Sequence, residues 1–165
     1  MRKFLILFLC SVQILSQSQL SEKLSNKTFS AKVIRIMDGD TMEILYKNVP
    51  TKIRLAHIDC PEKRGKQPFG NNAKIALSDL CFGRLVIIKG EKYDRYKRLI
   101  AVVINDKNQN VNQEMVKLGM AWHFTKFSKN PLYTKLETEA RKNRVGLWQD
   151  KNPIAPWLWR QKKIK

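Results

Sequence analysis

Residues from about Phe29 to Met37 are rich in β-branched and apolar side chains and stop at Asp38-Gly39-Asp40, a turn signal. They predict a strand. Thr41 to Tyr46 reads as a second, and Lys47-Asn48 turns the chain toward a third from Thr51 to Ile58. Within it, Lys52-Ile53-Arg54-Leu55 alternates, placing Arg54 on the face opposite its apolar neighbours. The period then lengthens. Ala73, Ala76, Leu77 and Leu80 fall at i, i+3, i+4 and i+7, predicting a helix over Gly70–Leu80 that Asn71 or Asn72 can cap. Leu85–Lys89 and Leu99–Ile104 are short apolar runs suited to buried strands. Val111, Met115 and Leu118 space one face of a second helix, with Gly119 placed to end it. Asn130-Pro131 opens a third as N-cap and first helical residue, with Leu132, Leu136 and Ala140 facing inward and Glu137 paired with Arg141 outside. Pro153 through Trp159, with two Pro and two Trp, reads as an extended strap over the domain. Five strands and three helices predict an α+β, mainly β fold: a small closed barrel with helices attached.

Composition narrows what such a barrel binds. With 43% hydrophobic residues in 165, the chain carries enough apolar material for one real core and is no disordered polycation. Against 14 acidic residues stand 32 lysines and arginines, a formal charge of +18 that attracts polyanions or anionic surfaces. The N-terminus stands apart. Arg2 and Lys3 precede the apolar run Phe4–Cys10, and Ser16 and Ser18 supply small residues, the pattern of a cleaved secretory signal over residues 1–18. A membrane anchor needs about 20 apolar residues, and Gln13 and Gln17 interrupt this run first. Removal of Arg2 and Lys3 leaves 30 basic against 14 acidic residues, a charge of +16, on a single domain over 19–165. Export permits a disulfide between Cys60 and Cys81, and buried free thiols are the equal alternative. No C-x-x-C occurs and His57 and His123 stand alone, so zinc has no support.

Three segments combine charge with turn residues: Asp38-Gly39-Asp40-Thr41, then Arg54-Leu55-Ala56-His57-Ile58-Asp59-Cys60-Pro61-Glu62, then Asp94-Arg95-Tyr96-Lys97-Arg98. Asp40 and Asp59 sit at the ends of adjacent predicted strands, where two carboxylates can converge on a hard cation. Arg54 and Arg98 are planar two-pronged donors matched to phosphate, and Glu62 is a carboxylate available as a base for water. Singly each has an ordinary structural explanation: a hairpin turn, a turn cap, a solvated arginine. Together they suit phosphodiester cleavage.

In this order and spacing, D-G-D-T, R-L-x-x-I-D-C-P-E, D-R-Y-K-R-L and V-N-Q-E-M-V-K-L-G-M-A resemble the staphylococcal nuclease (thermonuclease) family over roughly Ala31–Trp148. The G-L-W-x-D-x-N-P and P-W-L-W-R segments resemble its secreted bacterial members. The resemblance implies a five-stranded OB-fold barrel with three helices, a calcium site, and hydrolysis of DNA and RNA. It places calcium on Asp40, Asp59 and the Cys60 backbone carbonyl, Arg54 and Arg98 on the scissile phosphate, Glu62 as general base, and Arg95 and Tyr96 beside the bound nucleotide. It implies a monomer with no stable protein partner. Cys60 stands where the best-known member has Thr, and Lys97 where the pattern D-x-Y-G-R has Gly, which points to an altered turn before Arg98. Trp122-His123-Phe124-Thr125-Lys126-Phe127 lacks the tyrosines of the best-known member, leaving Phe or Trp to stack on bases. Two rivals differ in kind. An OB barrel that only binds single strands has no use for Asp40, Asp59 and Glu62 beside the phosphate path. A membrane-active cationic protein wants a concentrated basic helix face, whereas Glu137 and Glu139 interrupt that of the third helix.

Overall fold

The computed structural model describes residues 24–64 and 66–162; the expected leader, residues 1–18, lies outside them. Five strands, β1 (Thr28–Asp38), β2 (Thr41–Tyr46), β3 (Val49–Leu55), β5 (Leu85–Tyr93) and β6 (Leu99–Ile104), close into a barrel in the order β1-β2-β3-β6-β5. All neighbours are antiparallel except β3 and β6, which run parallel. Closure follows from period-two burial: Val86 and Ile88 on β5, and Leu99, Ala101 and Val103 on β6, point inward and meet Met42, Ile44, Ile53 and Leu55. A register shift between Val33 and Arg35 on β1 turns both Val33 and Ile36 into the core, three positions apart. This is the OB-type barrel the resemblance implies.

A two-stranded ribbon pairs β4 (Ile58–Asp59) with β7 (Trp122–His123). Four α-helices are described, one more than the sequence predicts: α1 (Gly70–Cys81), α2 (Val111–Lys117), α3 (Pro131–Lys142) and α4 (Pro156–Lys162). The tail is therefore no extended strap throughout. Pro156 stands at the first helical position, where its missing N–H costs nothing, and the chain coils behind it. At α1 the N-cap is Phe69 in the left-handed conformation, with no side-chain cap, rather than Asn71 or Asn72. Asn130 caps α3 as predicted, its side chain accepting from Leu132 N–H at 3.0 Å, but Leu132 itself faces solvent. Tyr133 takes the inward place beside Leu136 and Ala140. Cys60 and Cys81 are both free and buried, and burial raises the pKa of each thiol.

One buried polar residue and one apolar cluster fix the helices to the rest of the fold. Asn112 of α2 is fully buried; its carbonyl accepts from Val103 N–H, and its amide donates to the Ala56 and Ala101 carbonyls at 3.0 Å each. That holds the turn after β3 against β6. A second cluster, Trp122, Ala140, Leu147, Trp148 and Ala155, lies under the tail and seats α4 beside the β4–β7 ribbon.

Candidate active site

The acidic and arginine-bearing segments meet at one end of the barrel, around a cleft of about 980 Å³. Strand pairing brings them there. Thr41 lies opposite Arg54 across β2 and β3, and Arg54 pairs with Ile100 of β6, two residues after Arg98. The β1–β2 turn seats Asp40 because position 39 has no side chain. A Cβ there would lie 2.6 Å from the Ala73 Cβ of α1 and 2.9 Å from that of Cys60. Gly70 does the same for Glu62, since a Cβ would fall 2.7 Å from the Glu62 carbonyl oxygen. Gln67 then clasps the Glu62 backbone, accepting from its N–H at 3.0 Å and donating to its carbonyl at 3.1 Å through the Gln67 main chain.

Asp40, Asp59 and Arg54 form one buried ion cluster. Arg54 Nη2 lies 3.1 Å from Asp40 Oδ2 and 2.8 Å from Asp59 Oδ1. Its Nη1 donates to the carbonyls of Leu55 and Ile58, at 3.2 and 3.1 Å, so the guanidinium is fixed by backbone as well as by charge. Asp40 Oδ2 also accepts from Cys60 N–H at 2.9 Å, which brings the Cys60 peptide against the acid pair. Burial, and then the neighbouring Asp40 charge, push Asp59 up to about 6. Asp38, which the sequence reading treats only as part of a turn, is raised too, by burial and by Asp40 and Glu62. The site thus holds carboxylates that repel one another.

Arg98 is aimed by its own turn. Its Nε donates to Asp94 Oδ2 at 2.7 Å, and Nη1 reaches Thr41 Oγ1 at 3.4 Å. Burial raises Asp94, but the hydrogen bonds it accepts from the Arg98 backbone and side chain and from Tyr96 N–H outweigh it and hold the carboxyl below its ordinary value. Lys97 keeps the turn by taking φ 59°, the left-handed conformation that glycine enters at no steric cost. Tyr96 is 62% exposed on the cleft wall, and Arg95 stacks over its ring at 4.8 Å. Phe124 and Phe127 also line the cleft, the latter projecting into solvent.

All the predicted side chains therefore border this cleft, with Cys60 buried beneath it. Arg160 was missed. From α4 its Nη2 donates to Asp59 Oδ2 at 2.6 Å and its Nη1 to Glu62 Oε1 at 2.5 Å. Helical spacing held the signal, since Trp157 and Arg160 share a face once the tail coils.

The sequence model of a family described as "Staphylococcal nuclease homologue" matches residues 52–150, more than half of the chain. The chain belongs to the staphylococcal nuclease family. Its relatives in that family include a Haemophilus influenzae protein named "Uncharacterized endonuclease", 45% identical over 85% of this chain and 78% of that protein. A Shigella flexneri protein named "Micrococcal nuclease" is 38% identical over 81% of each. "Staphylococcal-like nuclease CAN1" of Arabidopsis thaliana is 37% identical over 84% of this chain and 41% of its own length.

Among the described residues no group of three or more His, Cys, Asp or Glu is arranged to hold a metal ion by side chains alone. Asp40 and Asp59 nonetheless bring hard carboxylate oxygens together around Arg54 Nη2, and an ion beside them could complete an oxygen shell from backbone carbonyls and water as calcium accepts. A donor set of two carboxylates suits a hard cation such as calcium better than zinc.

Proposed function

We propose that this protein is a secreted, Ca²⁺-dependent endonuclease that hydrolyses phosphodiester bonds of DNA and RNA with little sequence specificity. One observation carries the reading: in a chain of charge +18, carboxylates and arginines converge on one cleft, an arrangement a passive phosphate binder would be weakened by. The relatives' names, endonuclease and micrococcal nuclease, point the same way.

Asp40, Asp59 and the Cys60 carbonyl would hold calcium. Bound there, the ion would lower the cost of bringing a nucleophile to an anion. Glu62, its backbone clasped by Gln67, takes a proton from the water that attacks phosphorus in line with the departing oxygen. Arg54 and Arg98 donate to the equatorial oxygens, where charge accumulates as the bond forms. Both are held rigidly before substrate arrives, so little reorganisation is needed at the moment of reaction. Arg95 and Tyr96 flank the nucleotide, and Phe124 and Phe127 offer faces for a base to stack on. Residues 1–18 act as a cleaved signal for export to the periplasm or medium, residues 19–165 as one monomeric nuclease domain.

The test is plasmid cleavage by the wild type, Arg54→Ala and Glu62→Gln, each in calcium and in chelator. The wild type is expected to cut only with calcium, and each variant to lose on the order of 10²–10³ in rate. Intact plasmid with wild type in calcium overturns the enzyme. Equal cutting in chelator overturns the calcium assignment.

A further inference from the structure

Three arginines meet the acids of the cleft, and they are not held alike. Arg54 is 13% exposed and tied to two backbone carbonyls as well as to Asp40 and Asp59. Arg98 is pinned by Asp94 within its own turn. Arg160 is 42% exposed, and among the described residues its side-chain bonds go to Asp59 and Glu62. Those two groups are the ones the proposed reaction needs free. Arg160 engages Asp59 Oδ2, while Oδ1 is already engaged by Arg54, and it also engages the Glu62 oxygen that would face water.

We propose that Arg160 is a displaceable cation that competes with calcium for Asp59, so that metal uptake swings it out and frees Glu62 for water. This rests on the calcium site proposed above. Without the arginine, carboxylates that already repel one another would face each other bare, which is the physical use of a resident cation. A divalent ion held by Asp59 would raise the local positive charge beside a guanidinium with no further anchor among the described residues, and Arg160 is the member able to leave. The helix itself stays seated. Trp157 stacks on Phe124 with ring centres 5.3 Å apart, and Gln67, which clasps Glu62, also donates to the Ile154 carbonyl at 2.7 Å. The motion is therefore of a long, rotatable side chain into an open cleft.

Calcium chloride is titrated calorimetrically, without nucleic acid, into the wild type and Arg160→Gln. Competition predicts that the variant binds calcium at least about fivefold more tightly, the lower end of ordinary site-to-site coupling. A merely structural arginine predicts the opposite, a loss of affinity. Arginine Nε–H resonances provide a second measurement on the unaltered protein: the Arg160 signal is expected to shift on calcium saturation. Equal or weaker calcium binding by the variant, or an Arg160 resonance unmoved by saturating calcium, overturns the competition and leaves the calcium site standing. Absence of calcium binding by either protein overturns both.

Discussion

At the scale of single residues, the site is built from groups whose freedom has been removed by their neighbours. Arg54 is aimed by the Leu55 and Ile58 carbonyls and Arg98 by the Asp94 carboxylate, while Gln67 fixes the Glu62 main chain. Lys97 shows the cost of such aiming. At φ 59° an L-residue with a Cβ is strained by roughly 1–2 kcal/mol, yet the conformation is what lets Lys97 N–H bond the Asp94 carbonyl at 3.0 Å and close the turn behind Arg98. Glycine relieves that strain but loses about 0.5–1 kcal/mol more chain entropy on folding. Lys97→Gly is therefore expected to stabilise the protein by about 0.5–1 kcal/mol, read as a higher denaturation midpoint at unchanged m-value. A lower midpoint would show that the Lys97 side chain contributes more than its backbone strain removes. Much at this scale was legible in the sequence. Asp40, Asp59, Glu62, Arg54 and Arg98 lie in segments where turn residues and charges coincide, so local pattern alone sets them apart. Asp38 was legible only as a turn residue, because its exposure to the other acids arises from folding.

At the scale of elements, legibility tracks periodicity and length. The five barrel strands and the first three helices repeat their apolar positions often enough to be read. The β4–β7 ribbon has two residues a side and no period to detect. Helix α4 hides behind Pro153 and Pro156, residues that suggest extended chain until Pro156 proves to be a first helical position. Leu132 was misplaced because Tyr133 fills the space under the ribbon, stacking on His123 with ring centres 5.8 Å apart. That packing makes the ribbon and α3 sensitive to pH. His123 bonds Ser128 Oγ at 3.0 Å and Thr134 Oγ1 at 3.1 Å, and its burial holds its pKa below the ordinary 6.5. Glu137 opposes that shift, while His57 and Lys129 reinforce it. The unfolded chain protonates first as pH falls, so this contribution to stability is whole above about 6.5 and is lost as pH drops through the folded value. Asp59, raised to about 6, contributes with the opposite sign in both proteins, so the expected outcome is a difference: between pH 7.5 and 5 the denaturation midpoint of the wild type should fall relative to that of His123→Gln. Parallel curves would show that the slope belongs to other groups.

At the scale of the whole molecule, charge is divided between two tasks. The 32 lysines and arginines far outnumber the 14 acids, yet several of those acids are gathered at one end of the barrel. This division explains why composition reveals the class of partner and nothing about Arg160. The arginine reaches Asp59, 101 residues away in the chain, only because aromatic packing of Trp157 seats its helix. It also separates attraction from chemistry in a measurable way. If the general basic surface draws in the polymer, affinity depends on counterions released from phosphates and is indifferent to the base that activates water. Glu62→Gln, assayed in chelator by anisotropy of a short labelled DNA, is expected to bind with the same salt slope as the wild type. With about six phosphates contacted, both should lose roughly a thousandfold in affinity between 50 and 200 mM salt. A flat salt dependence would mean that the surface charge has another purpose. A slope altered by Glu62→Gln would mean that the cleft itself, and not the surface around it, holds the strand.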